Sequence, residues 1–350
     1  MKNSFFRGLT SSFYNLMLFA MIAILSGLSF PAVAAVGYVG SIFVQSGGLR
    51  MAVQKEIWIN SIVEGLFADN SFLSKAFNAD EFVTNKTVHI PNAGVASGVV
   101  KNRTEFPAAV SARVDTDLEF SLDEYTTNPI KITNADQVEL SYNKRESVLK
   151  QDKAKLIEEV SNDFILNWSP AAAYVIRTTG AAVAGHVPAA TGNRKAFTKD
   201  DVLATMNNFN AKDVPQEDRY MLVDAVMYGQ LLASLTVQES MAFHSLVDVK
   251  NGVLGKLYSF NIMMRSKSGR YTTALVPKAW TAVGATTDNA AVLAWHLNSV
   301  CRSLGDTTMF DSVNNPLYYA DIYSFLVRAG GRPMREAVEG LIAIVQDAAA

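Results

Sequence analysis

Four histidines, His89, His186, His244 and His296, together with Cys301 and the pair Gly180 and Gly185, are the residues of this 350-residue chain with the most scope for chemistry. A histidine that binds metal or carries a proton needs a second ligand or a carboxylate at a fixed offset. The chain contains neither H-x-x-x-H nor H-E-x-x-H, so each histidine is expected to be a surface or satisfied core residue. Gly180 and Gly185 have the spacing of the first half of a phosphate-binding loop, but His186 stands where that loop needs lysine. No G-x-S-x-G elbow is present. Cys301 is the sole cysteine, which excludes an intrachain disulfide and a cysteine-based zinc site.

The weaker signals lead the same way. Asp115 and Asp117 share one face of an expected strand and read as a solvated edge. Asn85-Lys86-Thr87 and Asn102-Arg103-Thr104 are glycosylation triplets in form only, and Lys101-Asn102-Arg103 is too small for a nucleic-acid patch. The expectation is therefore no catalytic, cofactor-binding or metal-ligating residue, no cofactor and no enzymatic activity.

Charge divides the chain. The formal net charge is -2, from 31 basic and 33 acidic residues. Residues 1–50 contain only Lys2, Arg7 and Arg50, and residues 8–49 carry no charge at all. Residues 51–350 then hold 28 basic against 33 acidic side chains, a balance of -5. That body is long enough for a large core, and its charge gives no footprint for gripping nucleic acid. The head has a basic start, an apolar stretch, Pro31 and an Ala32-Val33-Ala34 cleavage pattern, as an export signal does. Its apolar stretch, 13–30, is marginal for a membrane span. Met51-Ala52-Val53-Gln54 also looks like a natural start, which would make residues 1–50 upstream sequence translated from too early a codon.

The body mixes helices and strands without regular β-α-β alternation, so the class is α+β. Trp58, Ile62 and Leu66 suggest a short helix, followed by an apolar arm with Phe72, Leu73 and Phe77. Strands around Val88 and around Leu118, Phe120 and Leu122 enclose a long segment with few core residues, which makes a projecting hairpin. Leu149, Leu156, Val160, Phe164 and Trp168 predict a helix over 143–168, roughly 39 Å long. A helix over 201–209, a strand over 220–223 with a helix over 225–235, and a strand pair over 252–262 follow. A strand over 291–295, a helix over 317–328 and an apolar stretch over 338–345 close the chain.

In this order the elements resemble the major capsid proteins of tailed bacteriophages, which share the Hong Kong 97-type fold. The segment 51–73 is similar to capsid proteins of Bacteroides-type phages and prophages, and 133–143 to the stretch before the family's spine helix. Asp218-Arg219-Tyr220-Met221-Leu222-Val223-Asp224 and the helix after it are like the family's strand–helix unit. Gly252 and Gly255 are like its glycine-marked strand entry.

The resemblance implies an N-terminal arm over 51–85, an extended hairpin loop over 86–125 lying on a neighbouring subunit, and a peripheral domain over 126–215 with the spine helix. An axial domain with a return to the periphery would occupy 216–350. It also implies that the chain self-assembles into pentamers and hexamers of an icosahedral head that encloses double-stranded phage DNA without sequence-specific binding. The expected partners are copies of itself, a scaffolding protein, a portal and decoration proteins, with no membrane. Assembly would occur in the host cytoplasm and the product would be the virion. Two alternatives are an encapsulin-like compartment and, if 1–34 is a true signal, a secreted or periplasmic binding protein.

Overall fold

The computed structural model describes residues 71–84, 86–92, 99, 101–104, 106, 116–133, 144–248, 252–335 and 338–349. The chain divides into two units, 1–60 and 61–350, and every described residue lies in the second. The head over 1–50, the helix expected around Trp58, Ile62 and Leu66, and the stretch 134–143 lie outside the described residues.

A 3-10 turn over Ser71–Lys75 leads to two short strands, β1 (Phe77–Asn78) and β2 (Val83–Thr84). Then come β3 (Thr87–Asn92), β4 (Thr116–Ser121), β5 (Asp123–Thr126) and β6 (Ile130–Thr133). Helix α1 (Lys144–Trp168) follows, with β7 (Val175–Arg177), β8 (Ala182–Ala184), β9 (Asn193–Lys195) and α2 (Lys199–Ala211) after it. Next are β10 (Arg219–Asp224), α3 (Ala225–Ser234), α4 (Val237–His244), β11 (Val253–Leu257), β12 (Phe260–Arg265) and β13 (Gly269–Tyr271). The last strands are β14 (Asn289–His296), β15 (Cys301–Asn315), β16 (Ala320–Gly330) and β17 (Leu341–Val345).

The core is a seven-stranded sheet in the order β11-β12-β10-β14-β17-β7, with β13 pairing the first half of β14. Every residue of β10, β14 and β17 is buried, because both faces of the sheet are covered. One face carries Met221, Val223, Ile262, Val292 and Ile344 under Phe209 of α2, Met227 and Leu231 of α3 and Phe243 of α4. The helices hold their places through their first turns. Thr198 donates its N–H and hydroxyl to the buried Asp201 carboxylate at the start of α2, at 2.9 and 3.2 Å. Asp224 accepts from Met227 N–H at α3, and Thr236 and Glu239 form a capping box at α4. Gly255 is where α4 meets the sheet, since a Cβ there would lie 2.5 Å from the Phe243 ring.

A second sheet of five strands is built on the long antiparallel hairpin β15–β16, with β5 and β6 on the far side of β16 and β1 parallel to the start of β15. The helix expected over 317–328 is instead a turn followed by β16. Tyr323, Phe325, Val327 and Ala329 are buried while the residues between them are half-buried. This period of two marks a strand, and the aromatic and β-branched content of the segment favours it. The remaining sheets are β2-β3-β4, in which Thr87 pairs Ser121 and Asn92 pairs Thr116, and the hairpin β8–β9.

Helix α1 joins the two larger sheets. Leu149, Leu156, Ile157, Val160, Phe164, Ile165 and Trp168 are buried along it. Trp168 meets Phe72, Phe164 and Trp295 with ring centroids 5.9, 5.7 and 5.8 Å away, and its indole N–H donates to Cys301 O at 2.9 Å. Trp295 in turn donates to Lys75 O at 2.8 Å. Phe72 and Leu73, expected in an N-terminal arm, are buried within their own chain. They close the aromatic joint, and two indole N–H groups anchored on backbone carbonyls fix it. The segment 171–215, expected with the spine helix, contributes β7 to the seven-stranded sheet and packs α2 on it.

Candidate functional site

The residues singled out for chemistry are not brought together. His89 on β3 meets Glu119 of β4 at 2.9 Å on an exposed face. His244 ends α4 with Nδ1 2.7 Å from Ser240 O. His186 pairs with the buried Asp224 at 2.7 Å, but the other Asp224 oxygen caps α3, and His186 Nδ1 has no hydrogen-bond partner. The pair orients a loop and presents no nucleophile. Gly180 and Gly185 flank β8 in a hairpin and precede no helix. Burial pushes the Cys301 thiol up to about 11, so it is inert. Asp117 is exposed on β4, while Asp115 and Asn85 lie outside the described residues. Among the described residues no group of three His, Cys, Asp or Glu side chains could hold a metal ion.

Charge that is buried serves the loops. Arg194, Arg219 and Arg270 are all buried, and each points its guanidinium at backbone carbonyls of a connection between elements. Arg219 reaches Pro215 O, Val214 O and the Asn210 side chain, between the rings of Phe209 and Phe260. Sequence reasoning passed over these arginines, because nothing in their local pattern separates a loop clasp from a surface cation.

Arg270 also pairs with the buried Asp288, which accepts from Lys278 Nζ at 2.8 Å and Ala285 N–H at 2.9 Å. Burial alone would raise the Asp288 carboxyl, but Lys278, the Ala285 N–H and Arg270 outweigh it and hold it at about 2. A carboxyl lower in the folded than in the unfolded state stabilises above its unfolded value near 4, and this stabilisation is lost as pH falls towards 2. The contribution is about 2 kcal/mol. Chemical denaturation at pH 5 and pH 2 is expected to show that loss in the wild type. In Asp288→Asn the carboxylate is already gone, so the pH-dependent loss should shrink by about that amount; an unchanged loss would refute the assignment.

The exposed apolar residues are the other feature that stands out. Val99 and Phe106, between β3 and β4, are 96% and 78% exposed. Leu317 and Tyr319, at the turn between β15 and β16, are each 82% exposed, with the exposed Tyr318 between them, and Phe310 is exposed further along β15. Large exposed apolar side chains thus stand in the β3–β4 connection and at the β15–β16 turn, and clustered exposed apolar groups mark interaction surfaces. Between α1 and the β5–β6 segment lies an open cleft of about 630 Å³ with Glu124, Asp152 and Glu159 on its walls. Burial raises the Asp152 carboxyl and, on the same helix, that of Asp163.

Solved structures share this arrangement. The chain is similar to the capsid of Ralstonia phage GP4, with a TM-score of 0.56 and 12% identity over 79% of this chain and 88% of that one. The described fold is that of a phage capsid protein. The cyanophage Pam1 capsid matches with a TM-score of 0.55 and 11% identity over 79% of this chain and 89% of that one. A virus-like particle from Pyrococcus furiosus matches at 0.50 and 8% over 83% and 99%. Neither a protein-family model nor a curated protein matches the chain. The Hong Kong 97-type architecture expected from the order of elements is thus found in three dimensions, in a mixed helix-and-sheet chain.

Proposed function

We propose that the chain is a major capsid protein, the self-assembling subunit of the head of a tailed phage or prophage. The observation that carries this reading is the capsid fold with exposed large apolar side chains in the β3–β4 connection and at the β15–β16 turn. Such side chains cost free energy in a lone subunit and gain it when covered by copies of the same chain. The seven-stranded sheet with α2–α4 is the axial domain, and α1 with the β15–β16 sheet is the peripheral domain. The β3–β4 hairpin, with Lys101 and Arg103 exposed on it, lies on a neighbour.

Pentamers and hexamers built in this way would enclose double-stranded DNA, and the -5 balance of residues 51–350 keeps the shell from binding it tightly. The role is structural. Scaffolding, portal and decoration proteins are the further partners, the host cytoplasm is the place of assembly and the virion the destination. No helix of the described residues is long and apolar enough to cross a membrane. The kinship with Bacteroides-type phages belongs to this proposal and rests on the sequence segments alone.

Protein expressed from Met51 is expected to form rings, shells or tubes, measured by size exclusion and electron microscopy. A lasting monomer under all conditions would count against the reading. The likeness to the Pyrococcus furiosus particle supports a second reading, a cargo compartment of the same fold. Portal and terminase genes beside this one favour the phage, and an adjacent cargo-enzyme gene the compartment.

A further inference from the structure

Two stretches beside the start of β14 form one surface. The first, over 178–193, carries β8, and the second, over 279–287, leads into β14; neither contains Asp, Glu, Lys or Arg, in a chain that is 18% charged. They are joined to each other. Thr191 N–H donates to Thr286 O at 3.0 Å. Gly284 lies so close to the first stretch that a Cβ there would be 2.6 Å from Pro188 O and 2.7 Å from Ala189 Cβ. His186, the only titratable side chain of the two, is turned to the buried Asp224. The charges that border the surface are paired. Arg177 and Lys195 lie 3.8 and 2.9 Å from Asp347, and Lys278 meets the buried Asp288.

The backbone of this surface is held from beneath. The buried Arg194 donates to Thr191 O at 3.1 Å and to Thr286 O at 3.0 Å, one carbonyl from each stretch. The buried Arg270 donates to Ala282 O at 3.0 Å and Val283 O at 3.4 Å, and its partner Asp288 accepts from Ala285 N–H at 2.9 Å. Two buried cations thus draw these carbonyls inward, while Pro188, Ala189, Thr281, Ala282 and Val283 stay exposed, Val283 at 90%. A loop fixed in this way loses little conformational freedom when it is covered, which is what a pre-organised contact requires.

We propose that these two loops are the surface on which copies of the chain meet about a rotation axis, each loop pair against the same loops of the next copy. The occupant follows from the missing charge. A nucleic acid calls for basic side chains, and a different protein is met with complementary charge. About a rotation axis a residue faces its own symmetry mates, so a charge of either sign faces its like. A surface with neither sign escapes that repulsion, and its small and apolar side chains can be buried at the centre of a contact. Such a contact presupposes the self-assembly proposed above and gives it a place in the fold.

Val283→Asp and Val283→Lys in the full chain test this contact, by size exclusion and electron microscopy beside wild type. Each variant is expected to keep the wild-type unfolding temperature and to lose rings and shells, since like charges then converge at every axis. Co-expressed, the two are expected to recover assembly, because Asp and Lys can alternate about the axis. Normal shells from either variant alone would show that the loop touches no neighbour. Two folded variants that fail to assemble even together would show that it meets some other surface. A variant that does not fold would place Val283 in its own core, and each of these three outcomes overturns the proposal. A wild-type chain that stays monomeric would instead remove the self-assembly reading itself, and this contact with it.

Discussion

A Leu317→Asp, Tyr319→Asp double variant is expected to remain folded and to lose shell formation completely. Both side chains are 82% exposed and lie at the turn between β15 and β16, so they contribute little to the core of their own subunit. Their replacement should leave the unfolding midpoint within the range of ordinary surface substitutions, about 0.5 kcal/mol. In a shell the outcome differs. Each apolar side chain covered by a neighbour is worth about 1.5–3 kcal/mol, and a carboxylate placed in the same contact must be desolvated as well. The penalty recurs at every copy of a symmetric assembly, so a modest loss per contact suppresses the whole particle. Electron microscopy and sedimentation of the variant beside wild type decide it. Normal shells from the double variant would show that this turn is not a contact, and an unfolded subunit would show that it is part of the core.

Trp168→Ala is expected to have the largest effect on the subunit itself, a loss of about 4 kcal/mol. A buried tryptophan cut back to alanine costs about 3–5 kcal/mol through lost burial and the cavity left behind. Here the indole also packs on Phe72, Phe164 and Trp295 and holds Cys301 O, so one substitution loosens the turn over Ser71–Lys75, α1 and the entry to β15 together. Urea titration of the dissociated subunit should show the drop in midpoint, and Trp168→Phe should recover a good part of it. A loss below about 1 kcal/mol would mean that the joint is held elsewhere. Because the same joint connects the two larger sheets, Trp168→Ala is also expected to lower the yield of shells, whereas the turn variant lowers yield at unchanged stability. The two results separate loss of fold from loss of contact.

Much of the architecture is written locally. The helix α1 follows from the spacing of Leu149, Leu156, Val160, Phe164 and Trp168, all of them buried. The strand over Arg219–Asp224 and the helix over Ala225–Ser234 follow from an apolar run and an Asp at the junction. The stretch 317–328 was misread because an aromatic-rich segment of that length fits a helical face as readily as a buried strand, and only pairing with β15 chooses between them. The place where the arm packs is hidden for a related reason. Phe72 and Leu73 are plainly apolar, but nothing near them shows that Trp168 and Trp295, far along the chain, are there to receive them.

The candidate sites divide in the same way. That no histidine pairs with a second ligand at close spacing was legible, since such motifs are local. The loop clasps were not, because Arg194, Arg219 and Arg270 reach carbonyls of connections that their local pattern does not mark. The sequence by itself determined the charge balance, the α+β class and the order of elements that resembles a capsid protein, since composition and periodicity are properties of neighbours in the chain. The tertiary structure alone decided which apolar side chains stay exposed and which arginines clasp loops. Those depend on contacts such as Trp168 to Cys301 and Trp295 to Lys75, which span 133 and 220 positions and leave no trace in local pattern.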